Sequence, residues 1–192
     1  MKRGRFILGK SSKNQRFLFI RPGLAKRGQY YLVSVLILSA IVISIVAITN
    51  YSKKNEYLDL NSLGGELQIE SANVLDYGLN SRLTQQGMNQ KMTDFSQRYI
   101  DTESRDKNLY FVFGNQGNTT LKGYQNAIHK VSLDSTVVTS SSGAFIGSID
   151  PVGNSVTLGV DEDSYIFTLK GGENFFFVIS RETGGENYVV TG

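Results

Sequence analysis

Twenty-five consecutive residues, Gly28 to Ser52, carry no formal charge. Within them, Tyr30–Thr49 reads YYLVSVLILSAIVISIVAIT. At about 1.5 Å per residue, 20 helical residues cover about 30 Å, the hydrocarbon thickness of a bilayer. So many valines and isoleucines would favour strands in water. In lipid only a helix closes its own backbone hydrogen bonds, so a transmembrane helix from Tyr30 to Thr49 is predicted. Ser34, Ser39 and Ser44 interrupt the apolar run at intervals of five. Five is not a helical period, so they do not define a contact face. Their hydroxyls can instead bond to carbonyls of the preceding turn. A buried core helix of this length would carry some charge. A secretory signal would have a shorter apolar region and a small-residue cleavage site, and none is evident near Ala47–Tyr51.

Charge on either side of the helix sets its expected orientation. The chain has 192 residues and a net charge of +3, but that sum hides a division. Nine of the 20 basic residues lie in residues 1–28, which contain no acid. The remaining 11 face all 17 acids, so residues 29–192 carry a net −6. Cations concentrate on the cytoplasmic side of membrane helices. Residues 1–28 are therefore expected in the cytoplasm and 52–192 outside the cell. Tyr30, Tyr31 and Tyr51 suit the two interfaces. A basic tail can also bind nucleic acid, but this one adjoins a membrane helix and has no folded nucleic-acid motif. Topology and attraction to anionic lipid are the better account.

The junction reads Ala25-Lys26-Arg27-Gly28-Gln29-Tyr30-Tyr31. Two basic residues, Gly, Gln and then a long apolar helix resemble the class III signal of type IV pilin-like proteins, the archaeal versions in particular. That resemblance implies cleavage between Gly28 and Gln29 by a prepilin-type peptidase on the cytoplasmic side. It also implies a mature chain that starts with the apolar helix, able to assemble into a filament. Bacterial members place a Glu five residues into the mature chain, where this sequence has Val33, and a 28-residue leader is long. The chain is also similar to single-pass proteins of small-genome archaea with an Arg-Gly-Gln-aromatic helix start, a helical stalk and a β-rich tail. The segments concerned are Arg27–Tyr31, Glu66–Ser71, Val74–Gly78 and Gly172–Ile179. That resemblance implies an architecture and no activity. Lys26-Arg27-Gly28 also suits a plain juxtamembrane stop on an uncleaved anchor.

Residues 52–107 form a polar stretch with spaced apolar residues, expected as a helical stalk. Leu58, Leu63, Leu67, Val74, Leu75, Leu79 and Leu83 define a first helix, capped at Asn61 or Ser62, weakened at Gly64-Gly65 and ended at Gly78. A second begins near Thr84, with Met88, Met92, Phe95 and Tyr99 as one stripe. Such a stripe is core or a partner-helix surface. Glu66 and Glu70, four apart, share a helix face and can meet. Without a His, a metal motif or a Gly-rich loop, they read as a solvated face.

From Asn108 onward the pattern changes to short β-prone segments. These are Leu109–Phe113, Thr119–Gln125, Ala127–Leu133, Ser135–Thr139, Gly143–Ile149, Ser155–Val160, Tyr165–Leu169, Phe175–Ser180 and Tyr188–Thr191. Gly- and Asn-containing turns separate them, which predicts an antiparallel sandwich-like domain over 108–192. The fold class is therefore α+β: transmembrane helix over 29–51, helical stalk over 52–107, then an all-β domain. The clearest hairpin is expected between Ser164–Leu169 and Asn174–Ser180, around Gly171-Gly172.

The composition narrows the chemistry. With no Cys there are no disulfides, thiolate metal sites or thiol nucleophiles. A single His, His129, leaves no multi-His zinc site. Asp161-Glu162-Asp163 puts three acids in one turn, suited to Ca²⁺ by ligand type but without EF-hand spacing. No G-x-G-x-x-G or Gly-Lys-Ser run offers a phosphate cradle. No catalytic residue, cofactor or metal ligand is assigned, and the protein is not expected to be an enzyme. Asn118-Thr119-Thr120 is an N-glycosylation sequon in an expected exposed turn, and Asn50-Tyr51-Ser52 is a second at the membrane edge. The expected function is that of a membrane-anchored envelope protein, pilin-like, whose outward β domain serves assembly or adhesion. The alternative is an uncleaved receptor-like module for a carbohydrate or an ion.

Overall fold

A computed structural model describes residues 22–183 and 185–192, and only the backbone at 22–29 and 52–56. The chain is α+β, with two helices followed by nine strands in two antiparallel sheets. Helix α1 is Pro22–Asn80 and α2 is Gln85–Glu103. The strands are β1 (Asn108–Gly114), β2 (Thr119–Gln125), β3 (Val131–Leu133), β4 (Thr136–Thr139) and β5 (Gly143–Ile149). They continue with β6 (Ser155–Val160), β7 (Asp163–Thr168), β8 (Asn174–Thr183) and β9 (Glu186–Thr191). Two compact units divide the chain, one up to Asn50 and one from Tyr51. The stalk residues and the β domain thus belong to one unit.

Within that second unit the layers follow from β1. Its sequence Leu-Tyr-Phe-Val-Phe has no polar face, so both faces must be covered. It lies in the middle of the five-stranded sheet, whose order is β5-β2-β1-β8-β9. Leu109, Phe111 and Phe113 point to one side, into a core shared with Leu60, Leu63 and Leu67 of α1 and Met88, Met92 and Phe95 of α2. Tyr110 and Val112 point to the other side, into a core shared with the four-stranded sheet β4-β3-β6-β7. The result is three layers: helices, five-stranded sheet, four-stranded sheet. β8 shares this two-sided character. Phe177 and Ile179 join the helix side, and Val178 joins the sandwich interior.

Thr84 caps α2, its side chain accepting from the Gly87 amide. The expected stripe Met88, Met92, Phe95 and Tyr99 is buried against α1 and the sheet. Helix α1 has no break at Asn61 or Ser62 and runs two residues past Gly78. Leu60, Leu63 and Leu67, spaced three and four, are buried and hold it on the sheet, so tertiary packing overrides the two weak glycines. Gly64 has its own reason to be there: a Cβ at that position would lie 2.8 Å from Val190 Cγ1 of β9. Gly65 faces open space, with nothing within 4 Å. Gly65→Ala is therefore expected to raise stability by about 0.5–1 kcal/mol through helix propensity. At Gly64 the same change also overpacks the helix–sheet contact, at a cost of about 1–3 kcal/mol. Urea midpoints should rank Gly65→Ala above the parent and above Gly64→Ala, and the reverse ranking would refute this packing.

The expected hairpin across Gly171-Gly172 does not form. β7 pairs with β6 in the four-stranded sheet, whereas β8 pairs with β1 and β9 in the other. The connection crosses from sheet to sheet. The reason lies in burial: β8 is apolar on both faces and needs a central position, while β7 has exposed Ile166 and serves as an edge. Gly172, at φ +100°, turns the chain at this corner. Asn174 fixes the corner, accepting from the Lys170 amide and donating to the carbonyls of Gly114, Lys170 and Gly172.

Candidate functional site

The first feature is the apolar surface of α1. Tyr30–Tyr51 is long and apolar enough to cross a membrane, and none of it is buried within the protein. It encloses the expected Tyr30–Thr49 span. Leu36 is 69% exposed, Leu38 66% and Ile48 70%, far beyond the scattered apolar residues of a soluble surface. The polar groups within it are internally satisfied. Ser34, Ser39, Ser44 and Thr49 donate to the carbonyls of Tyr30, Val35, Ala40 and Ile45 at 2.7–2.9 Å. Each hydroxyl is spent on a carbonyl of its own helix, which leaves it no unmet donor. Gly28 and Gln29 lie within α1, where the backbone is helical. Their side chains, and all of residues 1–21, lie outside the described residues.

In the second unit Glu66 and Glu70 do meet, on the hydroxyl of Tyr99. Tyr99 donates within 3.2 Å of Glu66 Oε1 and 3.0 Å of Glu70 Oε2. Burial pushes the phenol's pKa upward, and its hydrogen bond to Glu70 and the two carboxylate charges push it further. This arrangement joins α1 to α2 through a shared proton. An ionic cluster joins α1 to β8 nearby. Arg181 lies 3.2 Å from Asp59 Oδ2 and contacts Asp106 at 2.6 Å, and buried Lys107 contacts Glu103 and Asp106 at 3.2 and 3.3 Å. On β2, buried Lys122 donates to the Thr93 carbonyl of α2. Burial lowers its pKa, against the opposing pull of Asp94 and Asp101.

The acidic turn Asp161-Glu162-Asp163 lies where β6 passes into β7. Asp161 Oδ2 lies 2.7 Å from His129 Nδ1, and Oδ1 accepts from the Lys130 amide at 2.7 Å. Those bonds, the Lys130 amide foremost, hold the Asp161 carboxyl below its usual range. Among the described residues no three His, Asp or Glu side chains converge where they could hold a metal ion. Beside this turn a cavity of about 140 Å³ opens between β1, β8 and β9 on one side and β6 and β7 on the other. Asp161, Asp163, Ser180, Glu182 and Asn187 line it, with Tyr110. The sequence marked Tyr110 only as a strand residue, and the cavity is assembled from five strands that no local pattern connects.

Asn118 lies half-buried at the end of the β1–β2 turn, its amide donating to Asn115 Oδ1. Thr120 of the same sequon is buried, its hydroxyl 3.0 Å from that of Ser148. Asn50 lies in α1 at the end of the apolar run. No family model, curated protein or solved structure matches this chain. Fold and site define a class: an α+β protein with one helix long and apolar enough to span a bilayer and a compact two-sheet unit after it.

Proposed function

We propose that this protein is a non-enzymatic, pilin-like envelope component, anchored by Tyr30–Thr49, with residues 52–192 at the cell surface for assembly or adhesion. The observation that supports the reading most is the 22-residue apolar helical surface that the protein itself leaves uncovered. It follows nine cations and precedes an acidic unit with its own core. Such a surface is stable against lipid, or against the same helix of other copies. Residues 1–28 face the cytoplasm by the positive-inside rule. The archaeal class III resemblance at Lys26-Arg27-Gly28-Gln29 adds a prepilin-type peptidase that cuts after Gly28. The partners are then the bilayer, that peptidase, and other copies or envelope proteins, rather than nucleic acid.

Sequencing the N-terminus of chain recovered from membranes of cells expressing a prepilin peptidase tests the processing step. A chain starting at Gln29 supports it. Intact residues 1–28 would overturn it and leave a single-pass anchor. Protease treatment of intact cells tests orientation: cleavage within 108–192 is expected, and protection there with loss of the tail would reverse the topology.

A further inference from the structure

Two asparagines stand in the β1–β2 turn, and only one of them holds it. Asn115 Oδ1 accepts from the amides of Gly117 and Asn118 at 2.9 and 3.1 Å, and the Asn115 amide donates to the Asn118 carbonyl. Asn115 Nδ2 donates to Glu173 Oε1, just before β8. The Asn118 side chain has no such task. It makes no hydrogen bond among the described residues, and its polar atoms are not closed off from solvent. The last position of a tight turn asks for nothing that asparagine supplies better than glycine. Asn118 is at the same time the first residue of the sequon Asn118-Thr119-Thr120, which neither the anchor nor the core accounts for. The fold does use the two threonines. Thr119 donates to the Asn115 carbonyl at 3.0 Å. Thr120 is 6% exposed, and its hydroxyl lies 3.0 Å from that of Ser148, its register partner on β5. The other sequon is placed differently. Asn50 lies inside helix α1 and inside the apolar span Tyr30–Tyr51, immediately before its last residue.

We infer that Asn118 is the acceptor of an N-linked oligosaccharide, that Asn50 is not, and that the transfer precedes the pairing of β2 with β5. The inference rests on the outward placement of residues 52–192 proposed above. The donor is an oligosaccharide linked to a polyprenyl phosphate or diphosphate on the outer side of the membrane. The bond from Asn118 Nδ2 to the sugar C1 forms as the bond from C1 to the phosphate oxygen breaks. The lipid phosphate leaves with the electron pair, and Nδ2 gives up one proton. An enzyme that reads Asn-X-Ser/Thr needs the hydroxyl at the third position. In the folded protein that hydroxyl is buried against Ser148, so the enzyme must act while the segment is still extended. Chain order allows this, because β2 crosses the membrane before β5. After folding the glycan has an outlet, since the Asn118 side chain stays open to solvent. It then stands at the end of the sandwich where β2 begins and β5 ends, Thr119 being paired with Ile149. Val152, in the turn that follows β5, is 95% exposed, and a bulky hydrated group at this end shields an apolar tip. Asn50 has a helical backbone within the apolar span, where an enzyme working in the water above the bilayer does not reach.

Cell-free translation of the full chain with microsomes tests the site, because their lumen corresponds to the outside and holds both a transferase and its lipid-linked donor. A single step in gel mobility, removed by endoglycosidase H, is expected. Asn118→Gln and Thr120→Val should lose the step, whereas Asn50→Gln and Thr120→Ser should keep it. Asn118→Gln should leave the thermal midpoint unchanged, which separates a lost acceptor from a lost fold. The folded chain in detergent, offered the same transferase and donor, should stay unmodified. Protease added outside the vesicles reads orientation apart from glycosylation. A β unit that is protected yet carries no glycan overturns the inference and leaves the anchor standing, whereas a digested β unit overturns both. Loss of the step in Asn50→Gln would overturn the choice of acceptor, and modification of the folded chain would overturn the order of events.

Discussion

Phe111→Ala is expected to destabilise the second unit by about 3–5 kcal/mol, the cost of emptying a large, closed core site. Phe111 is fully buried in the central strand β1, with β2 and β8 on either side. Its ring stacks on Phe175, with centroids 5.9 Å apart, and Phe175 meets Phe95 edge-on at 5.6 Å. Phe95 in turn meets Tyr99 at 5.1 Å. One ring at position 111 thus supports the row that connects sheet to α2. Strands on both sides fix the backbone, so the site cannot collapse cheaply, and the upper part of the range applies. Ile166 provides the contrast: it is 70% exposed on edge strand β7, and Ile166→Ala should stay within about 0.5 kcal/mol of the parent. Guanidinium unfolding of the full chain in micelles, followed by near-ultraviolet circular dichroism, measures both. Equal midpoints for the two variants would show that the helices do not close over β1.

Why that layer was only half visible in the sequence is a matter of range. Local periodicity located the elements well: Thr119–Gln125, Gly143–Ile149 and Ser155–Val160 are strands as expected, and the four-three-four stripe on α2 is buried. The run at 109–113 was legible as a strand, while its burial on both faces emerges only from the packing of helices and second sheet around β1. Which elements cover it is a question of pairing between distant segments. Turn chemistry at Gly171-Gly172 pointed to a hairpin because a tight turn is the shortest way to pair two strands. The demand of β8 for two buried faces outweighs that, and the chain crosses between sheets instead. The candidate sites divide in the same way. Glu66 and Glu70 are four apart, so their meeting was legible, but Tyr99 on another helix was not. The pairing of His129 with Asp161 spans 32 residues, and the hydroxyl of Tyr110 lies in a run that otherwise reads as plain core.

Ile41→Arg is expected to lower partition of the chain into membrane by a hundredfold or more. Ile41 lies near the middle of Tyr30–Tyr51 and is 52% exposed. Moving from Ile to Arg at a helix centre costs about 3–4 kcal/mol on insertion scales, and each 1.4 kcal/mol is about a factor of ten. Snorkelling recovers little there, because both interfaces are about ten residues distant. Thr49→Arg places the same charge at the edge, where the side chain reaches the headgroups, and partition should change little. Carbonate-washed membranes, probed for the chain, separate the two cases. The unfolding midpoint of the β unit should be the same in both variants, since the core from Leu60 to Val190 contains no residue of the apolar run. Retention of Ile41→Arg at the parental level would mean that Tyr30–Tyr51 does not cross the bilayer. Loss of both variants alike would place the binding at the surface, where charge at residues 41 and 49 counts equally.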